Sequence, residues 1–538
     1  MRTIGLAVCA LALFSSAGWC DDQHHHQLTE NEIGSVHFAT SCAKAVGTDL
    51  NRAVALLHSF QYEDARRAFD GIALKDPSCA MAEWGVAMSH YHGLWDNGDM
   101  AAGGEAMRKT KEITAANSRT TAREKAYIDA LDVIYQKDGK DMYAHGVAFE
   151  QKMAAVQSSY PDDIEAAIFH ALTLYIAASK TDRTFANQRK CGAILEPIFE
   201  KLPNHPGAPH YIIHCYDNPI LAEQGLKAAR AYARIAPASA HANHMPSHIF
   251  TRVGSWEESI QSNKRSEALA AAAEPTSKDG EARDQRLHAM DYMEYAYLQS
   301  GRVADAKTVL AAMNALPPVS GLTLTGDYAL AAIPARYAIE LGNWSEAGGL
   351  TPRKEAVPWA QAITWTAVGV GSARSGNAKR AAEAEQALAG LRDATAKLNN
   401  TYWSKQVEVQ RQEVAAWIEQ QSGDGAQALT LMTAAADLEE SMDKHAVTPG
   451  AVVPAREMLG ELLLQQKRPQ QALEAFEAVL KVAPRRFNAI YGAANAADAA
   501  GNVSVAHRYF QQLIETSVGE ERPEVGTARK RVGMSAKK

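Results

Sequence analysis

Along most of the chain, apolar residues return every three or four positions, the period of a helix with one buried face. Strand-like alternation is nearly absent, so the pattern predicts an all-α protein. The helical segments are also punctuated at a fixed spacing. Ala472-Leu473-Glu474-Ala475-Phe476 leads to Pro484, and Gly501-Asn502-Val503 leads to Ala506, which sets abutting 34-residue units at 453–486 and 487–520. Pro203 and Pro237 lie 34 residues apart and set units at 206–239 and 240–273. The unit 46–79 repeats the layout with Ala65, Phe69 and Pro77. Further units anchor on Gly301/Ala306, Gly342/Ala347, Gly376/Ala381 and Gly423/Ala428, with looser ones between 80 and 205.

A helix–turn–helix period of 34 with these landmarks resembles the tetratricopeptide repeat (TPR). The resemblance implies a right-handed α-solenoid of about twelve helix pairs over residues 42–520, with a concave groove for a ligand or partner. Three phrases are more particular: Asn51-Arg52-Ala53-Val54-Ala55-Leu56-Leu57-His58-Ser59-Phe60, Asp76-Pro77-Ser78-Cys79-Ala80-Met81-Ala82 and His244-Met245-Pro246-Ser247-His248-Ile249-Phe250. Together they resemble a group of exported bacterial TPR proteins, a likeness that supplies no reaction.

The ends of the chain set the compartment. Arg2, an apolar run from Ile4 to Phe14 and small residues before Asp21-Asp22 read as a secretory signal over 1–20, so the mature protein is expected to be periplasmic or secreted. No later apolar run is long enough to span a bilayer. Residues 21–41 read as a partly disordered lead-in, His24-His25-His26 as disordered tail, and 521–538 as a frayed basic tail. Between them lie N-terminal repeats (42–205), a His-rich section (206–320) and C-terminal repeats (321–520). Four cysteines remain after the signal. One bridge, Cys42–Cys79, suits an oxidising compartment; the alternative is four small buried hydrophobes. A net charge of -7 argues against a nucleic-acid partner.

The histidines are unevenly spread. Seven of the 18 fall between His205 and His288. Numbered from the start of each unit, His210 and His214 take positions 5 and 9, and His241, His244 and His248 take positions 2, 5 and 9. His288 takes position 2 of a unit starting at 287. In the TPR family these positions line the groove, and their spacing alone puts them on one helix face. Paired histidines at i and i+4 on adjacent repeats can chelate transition metal, Zn or Cu first, with Fe or Ni open. His210, His214, His244 and His248 form the expected core, and His241 and His288 extend it. Asp217 and Asp291 would serve as base, ligand or orienting partner. A metal-free His-rich pocket and a structural hydrogen-bond network remain alternatives.

Weaker candidates share the groove. Arg252 and Arg336 could hold an anionic group on a substrate or form internal ion pairs, and His58 and His92 fall at position 13 of their units. Trp256 and Trp344 read as core. Pro246 sits inside a first helix, which must kink or restart there. Beyond 409, Gln410, Glu413, Trp417, Glu461, Asn488 and Asn495 show no clustered ligands, so that part is expected to extend or cap the solenoid. No His-Glu-x-x-His, phosphate-binding glycine loop or Gly-x-Ser-x-Gly occurs. Three functions follow: a metal-dependent enzyme, hydrolytic or oxidative, acting on a small-molecule or peptide ligand in the groove; a non-catalytic scaffold gripping a peptide or envelope protein; or a metal buffer.

Overall fold

The computed structural model describes residues 28–94, 98–136, 141–179, 181–277, 280–318 and 322–533. The proposed signal and His24-His25-His26 lie outside them. Among the described residues there are 27 α-helices and no strand. Each helix packs chiefly on its neighbours in sequence, and the stack forms an α-solenoid. No described helix is long and apolar enough to cross a membrane.

The expected open groove is absent around the His-rich section, because distant parts of the chain close over it. From the C-terminal side, Gln299 accepts the Phe487 N–H at 2.9 Å and Ser300 accepts the Val518 N–H at 2.8 Å. From the N-terminal side, Glu281 accepts the Glu63 N–H at 3.2 Å. The approach is close at Gly254, which ends the helix Pro246–Val253 in the left-handed region (φ 70°). A Cβ there would stand 2.6 Å from the Pro484 carbonyl oxygen, so glycine meets both the turn and the contact.

The helix Gly207–Tyr216 shows why a one-faced pattern gives way here. All ten of its residues are buried, with Tyr211, Ile212, Ile213 and Cys215 in the hydrophobic core beside two histidines. A helix surrounded by protein needs no polar face. Its first residue, Gly207, lies against the His58 ring, where a Cβ would come within 2.8 Å of Nδ1. Pro246 restarts its helix: Ala240–His244 and Pro246–Val253 join through Met245, which keeps right-handed helical geometry.

The ends are better packed than the sequence suggests. In the lead-in, Ile33, Val36 and Phe38 are buried, and the Phe38 N–H donates to Asn51. The supposed frayed tail contains a helix, Pro523–Arg531, anchored by buried Val525 and Ala528. Its last-turn basic residues Arg529, Lys530 and Arg531 suit a helix C-terminus.

Two disulfides are present, Cys42–Cys79 and Cys191–Cys215, where the sequence suggested one. The second ties the helix Ala186–Lys201 to Gly207–Tyr216 next to His214. A loop-closure argument assigns each bond about 3–4 kcal/mol. Replacing Cys191 and Cys215 together by Ala should therefore lower unfolding stability by about 3 kcal/mol in denaturant melts.

Candidate metal centre

Six buried histidines meet in the interior, as two threes rather than the expected core of four. His210, His214 and His241 bring one ligand atom each within 4.8 Å of one another, and His244, His248 and His288 do the same. The first group draws on Gly207–Tyr216 and Ala240–His244. The second adds Pro246–Val253 and the helix Glu281–Gln299. His241 and His244, at positions 2 and 5 of one repeat and on the same short helix Ala240–His244, join different groups. The groups are adjacent, with ring centroids 6.3 Å apart for His214 and His248 and 6.4 Å for His241 and His244.

Hydrogen bonds behind three of the rings assign their tautomers. His210 Nδ1 lies 2.5 Å from the His58 carbonyl oxygen, which can only accept. His248 Nδ1 lies 2.9 Å from the Asp217 carboxylate. His244 Nδ1 lies 2.7 Å from Asn263 Oδ1, and the same amide fixes its orientation by donating Nδ2–H to the Ser259 carbonyl. Each Nδ1 therefore carries the proton, leaving a lone pair on Nε2. These Nε2 atoms crowd one another. His244 and His248 Nε2 are 2.9 Å apart, and His210 Nε2 lies 3.0 Å from His241 Nε2 and 3.1 Å from His214 Nε2. His288 Nε2 is buried and has no hydrogen-bond partner among the described residues. The lone pairs of His244 and His248 face each other at 2.9 Å and repel unless a cation lies between them, whereas His210 Nε2 can accept an N–H from His214 or His241 or share an ion with them. Burial, then neighbouring histidines, pushes His210, His214, His241 and His288 well below the usual imidazole range. Burial and His248 do the same to His244. A shared proton is thereby disfavoured, and a metal ion fits the donor set.

Asp217 stands behind the histidines. Besides orienting His248, it takes Arg252 Nε at 2.8 Å and Lys444 Nζ at 2.8 Å. Burial alone would raise its carboxyl, yet Lys444, Arg252 and the His248 N–H hold it well below the usual carboxylate range. A carboxylate so engaged is a poor base, which corrects the expectation of a catalytic role; it is an orienting partner. Asp291 is only half engaged, since its Oδ2 is buried without a hydrogen-bond partner among the described residues. It turns to Arg336 at 2.6 Å, and Arg336, fully buried, also holds Glu294 at 2.9 Å. Neither arginine faces a free groove: Arg336 is internal, and Arg252 binds Asp217 through side chain and carbonyl.

His58 and His92 are not open groove residues either. His92 stacks on Tyr62 with ring centroids 4.1 Å apart. His58 sits in a buried chain: its Nε2 lies 2.8 Å from Glu165, which also takes His205 Nε2 at 2.9 Å. His205 Nδ1 accepts the Gly207 N–H, and the Tyr211 hydroxyl lies 2.9 Å from His58 Nδ1. These bonds satisfy both rings, so this set reads as a network supporting the His58 carbonyl that His210 uses. Trp256 is core, with its indole N–H donated to the Arg485 carbonyl, and Trp344 is partly buried under Arg374.

Sequence reasoning missed Glu165, Asn263 and Lys444. Glu165 is 107 residues from His58, and Lys444 is 227 from Asp217, so no local pattern joins them. Lys444 also corrects the view that repeats beyond 409 only extend the solenoid. The segment 441–454, between the helices Gly425–Glu440 and Ala455–Gln465, enters the interior. There the Tyr292 hydroxyl donates to the Thr448 carbonyl at 2.8 Å. A narrow cavity of about 40 Å³ remains beside His214, Asp217 and Lys444. It has room for one or two water-sized molecules.

The comparisons with known proteins concern the scaffold. Residues 463–529 match the tetratricopeptide repeat family model. No curated protein matches the chain. Among solved structures, the human IFIT1 dimer with PPP-AAAA is similar at 12% identity and a TM-score of 0.38, covering 86% of this chain and 89% of that one. Yeast Tom70 is similar at 11% identity and a TM-score of 0.30, covering 75% of this chain and 95% of that one. The chain is a helical-repeat protein that carries the tetratricopeptide repeat at 463–529.

Proposed function

We propose that this is an exported metalloprotein whose closed interior holds two transition-metal ions, one on each histidine triad, and that it acts as a metal-dependent oxidase. The observation that carries the reading is the pair of Nε2 lone pairs of His244 and His248 facing each other at 2.9 Å, each with its Nδ1 proton committed elsewhere, together with the His210 Nε2 lone pair, which lies 3.0 Å from His241 Nε2 and 3.1 Å from His214 Nε2. Copper suits this donor set best. All six ligands are neutral imidazoles, and the nearby charges of Asp217 and Asp443 are cancelled by Arg252 and Lys444. Two buried divalent ions would bring four positive charges without compensation, whereas two monovalent copper ions bring two. Export is supported by the proposed signal and by two disulfides, which persist in oxidising compartments.

A copper pair supplies two electrons at one place, which suits oxidation by a small oxidant such as dioxygen. The chain's own residues orient the ligands, exclude bulk water and leave a cavity for water-sized molecules beside His214. Hydrolysis fits less well, because Asp217, the candidate base hydrogen-bonded to a histidine of the triads, is tied up in ion pairs. The likeness to exported TPR proteins with the His244–Phe250 phrase belongs to this reading as its family context. Metal storage is the second reading, favoured by the closure of the interior by residues 441–454. Oxygen uptake by copper-loaded protein with ascorbate as electron donor tests the choice. We expect uptake that is absent in zinc-loaded protein and in His248→Ala. Two bound copper ions without uptake would favour storage.

A further inference from the structure

A second cavity lies on the other side of the 441–454 segment, and it touches none of the six histidines. It measures about 210 Å³ and is walled by aromatic residues, among them Tyr328, Tyr402 and Trp403. Trp403 is stacked on Trp359 with centroids 4.4 Å apart, and Tyr402 stands edge-on to it, so the wall is rigid. The helix Thr401–Ser422 supplies the other feature. Gln410 and Glu413, three residues apart and so on one helix face, both line the cavity.

These two side chains have acceptors without donors. Gln410 Oε1 is buried with no hydrogen-bond partner among the described residues. Glu413 is 3% exposed, and its carboxyl has no hydrogen bond or ion pair there either. Its charged neighbour is another acid, Glu439, whose one carboxylate bond is to the Ala455 N–H at 2.8 Å. Burial, then Glu439, pushes the Glu413 carboxyl well above its usual range. Burial pushes Glu439 up to about 7. Buried acceptors are ordinarily paired, and a buried carboxyl without a cation is costly. The cations at the far end, Arg252 and Lys444, are already engaged with Asp217.

We infer that this cavity is a binding site for a small organic ammonium ion, its N–H groups donated to Gln410 Oε1 and the Glu413 carboxylate and its body laid against Tyr402 and Trp403. Burial disfavours the ionised form of Glu413, and an ammonium group offers three donors together with the positive charge that would favour that form once bound. Aromatic faces attract such a cation and accept an apolar body equally well. The site's volume limits the ligand to roughly the size of a single-ring amine. This assignment does not rest on the metal reading, since the cavity touches none of the six histidines and its acceptors, Gln410 and Glu413, lie outside the metal centre, although Asp443 and Lys444 line both cavities.

The experiment is calorimetric titration of the full-length protein with 2-phenylethylamine and with its neutral counterpart 2-phenylethanol. The amine should bind and the alcohol should bind at least tenfold more weakly. Glu413→Gln, nearly isosteric, should weaken the amine by about tenfold to a hundredfold, the worth of a charged hydrogen bond, and leave the alcohol unchanged. Gln410→Leu should weaken the amine by about fivefold or more, and a helical signal equal to the parent's certifies each variant as folded. Equal binding of amine and alcohol overturns the assignment, as does absence of amine binding or an affinity unmoved by Glu413→Gln. Stripping the metal should leave all of these affinities in place.

Discussion

Protein produced with copper supplementation and without a polyhistidine tag will carry two copper ions per chain. The stoichiometry follows from the division of the histidines into His210/His214/His241 and His244/His248/His288. Changing His210 and His214 to Ala should remove one ion and leave the other, and changing His244 and His248 to Ala should do the converse. Changing all four should reduce bound metal to background. Elemental analysis of gel-filtered protein reads these numbers directly, with the helical signal as the folding check. A single ion lost completely in both double variants would instead mean one shared site drawn from both triads. Six ligands divided over two ions leave coordination positions open in each set of three, as a reactive rather than a purely structural site requires.

Removing metal will lower thermal stability at neutral pH. Saturation at a hundred times the dissociation constant contributes about 2.7 kcal/mol per site, so about 5 kcal/mol for two. That corresponds to a fall in Tm of roughly 5–10 °C on adding a chelator. The sign with pH follows from the histidines. In the unfolded chain they take up protons from about pH 6.5 downward, whereas burial holds the native ones to lower values. The unfolded state thus binds more protons below pH 6.5. Stability is fully present above that pH and is lost on acidification toward the native values. Melts of metal-free protein should therefore show a falling Tm from pH 7 to pH 5. The gap between metal-loaded and chelated samples should narrow over the same range, because protons compete for the ligand nitrogens. A Tm indifferent to chelator at neutral pH would contradict the metal reading.

The helices and the histidines that meet were legible because both depend on short spacings. Repeats of 34 set the register, and i, i+4 pairs such as His210/His214 and His244/His248 lie on one face whatever surrounds them. How six histidines divide between ions was not legible. It turns on which neighbours His241 and His244 meet, three residues apart on one short helix, and on the helix Glu281–Gln299, which begins six residues before the unit counted from 287 and brings in His288. The choice between the alternatives open for Arg336, an anionic ligand or an internal ion pair, was not legible for a related reason. Register places a residue on a face, but the choice of neighbour is made in three dimensions. Closure of the interior was invisible as well. The contacts of Lys444 with Asp217 and of Gln299 with Phe487 join residues about 200 apart, and no periodicity carries that information.

The segment 441–454 also fixes an order of events. Every histidine of the two triads is synthesised before Lys444, and their helices can assemble from residues 42–299 by largely local packing. The part of the chain that seals them lies roughly another 150 residues further on, so sealing needs contacts of long sequence separation that form after the local ones. A chain caught between these stages presents six converging imidazoles to the surrounding fluid, and the finished chain does not. The window in which ions enter freely is therefore a property of an unfinished or partly opened molecule. A completed chain that holds metal would retain what it acquired earlier, and its metal content would record the conditions under which it matured.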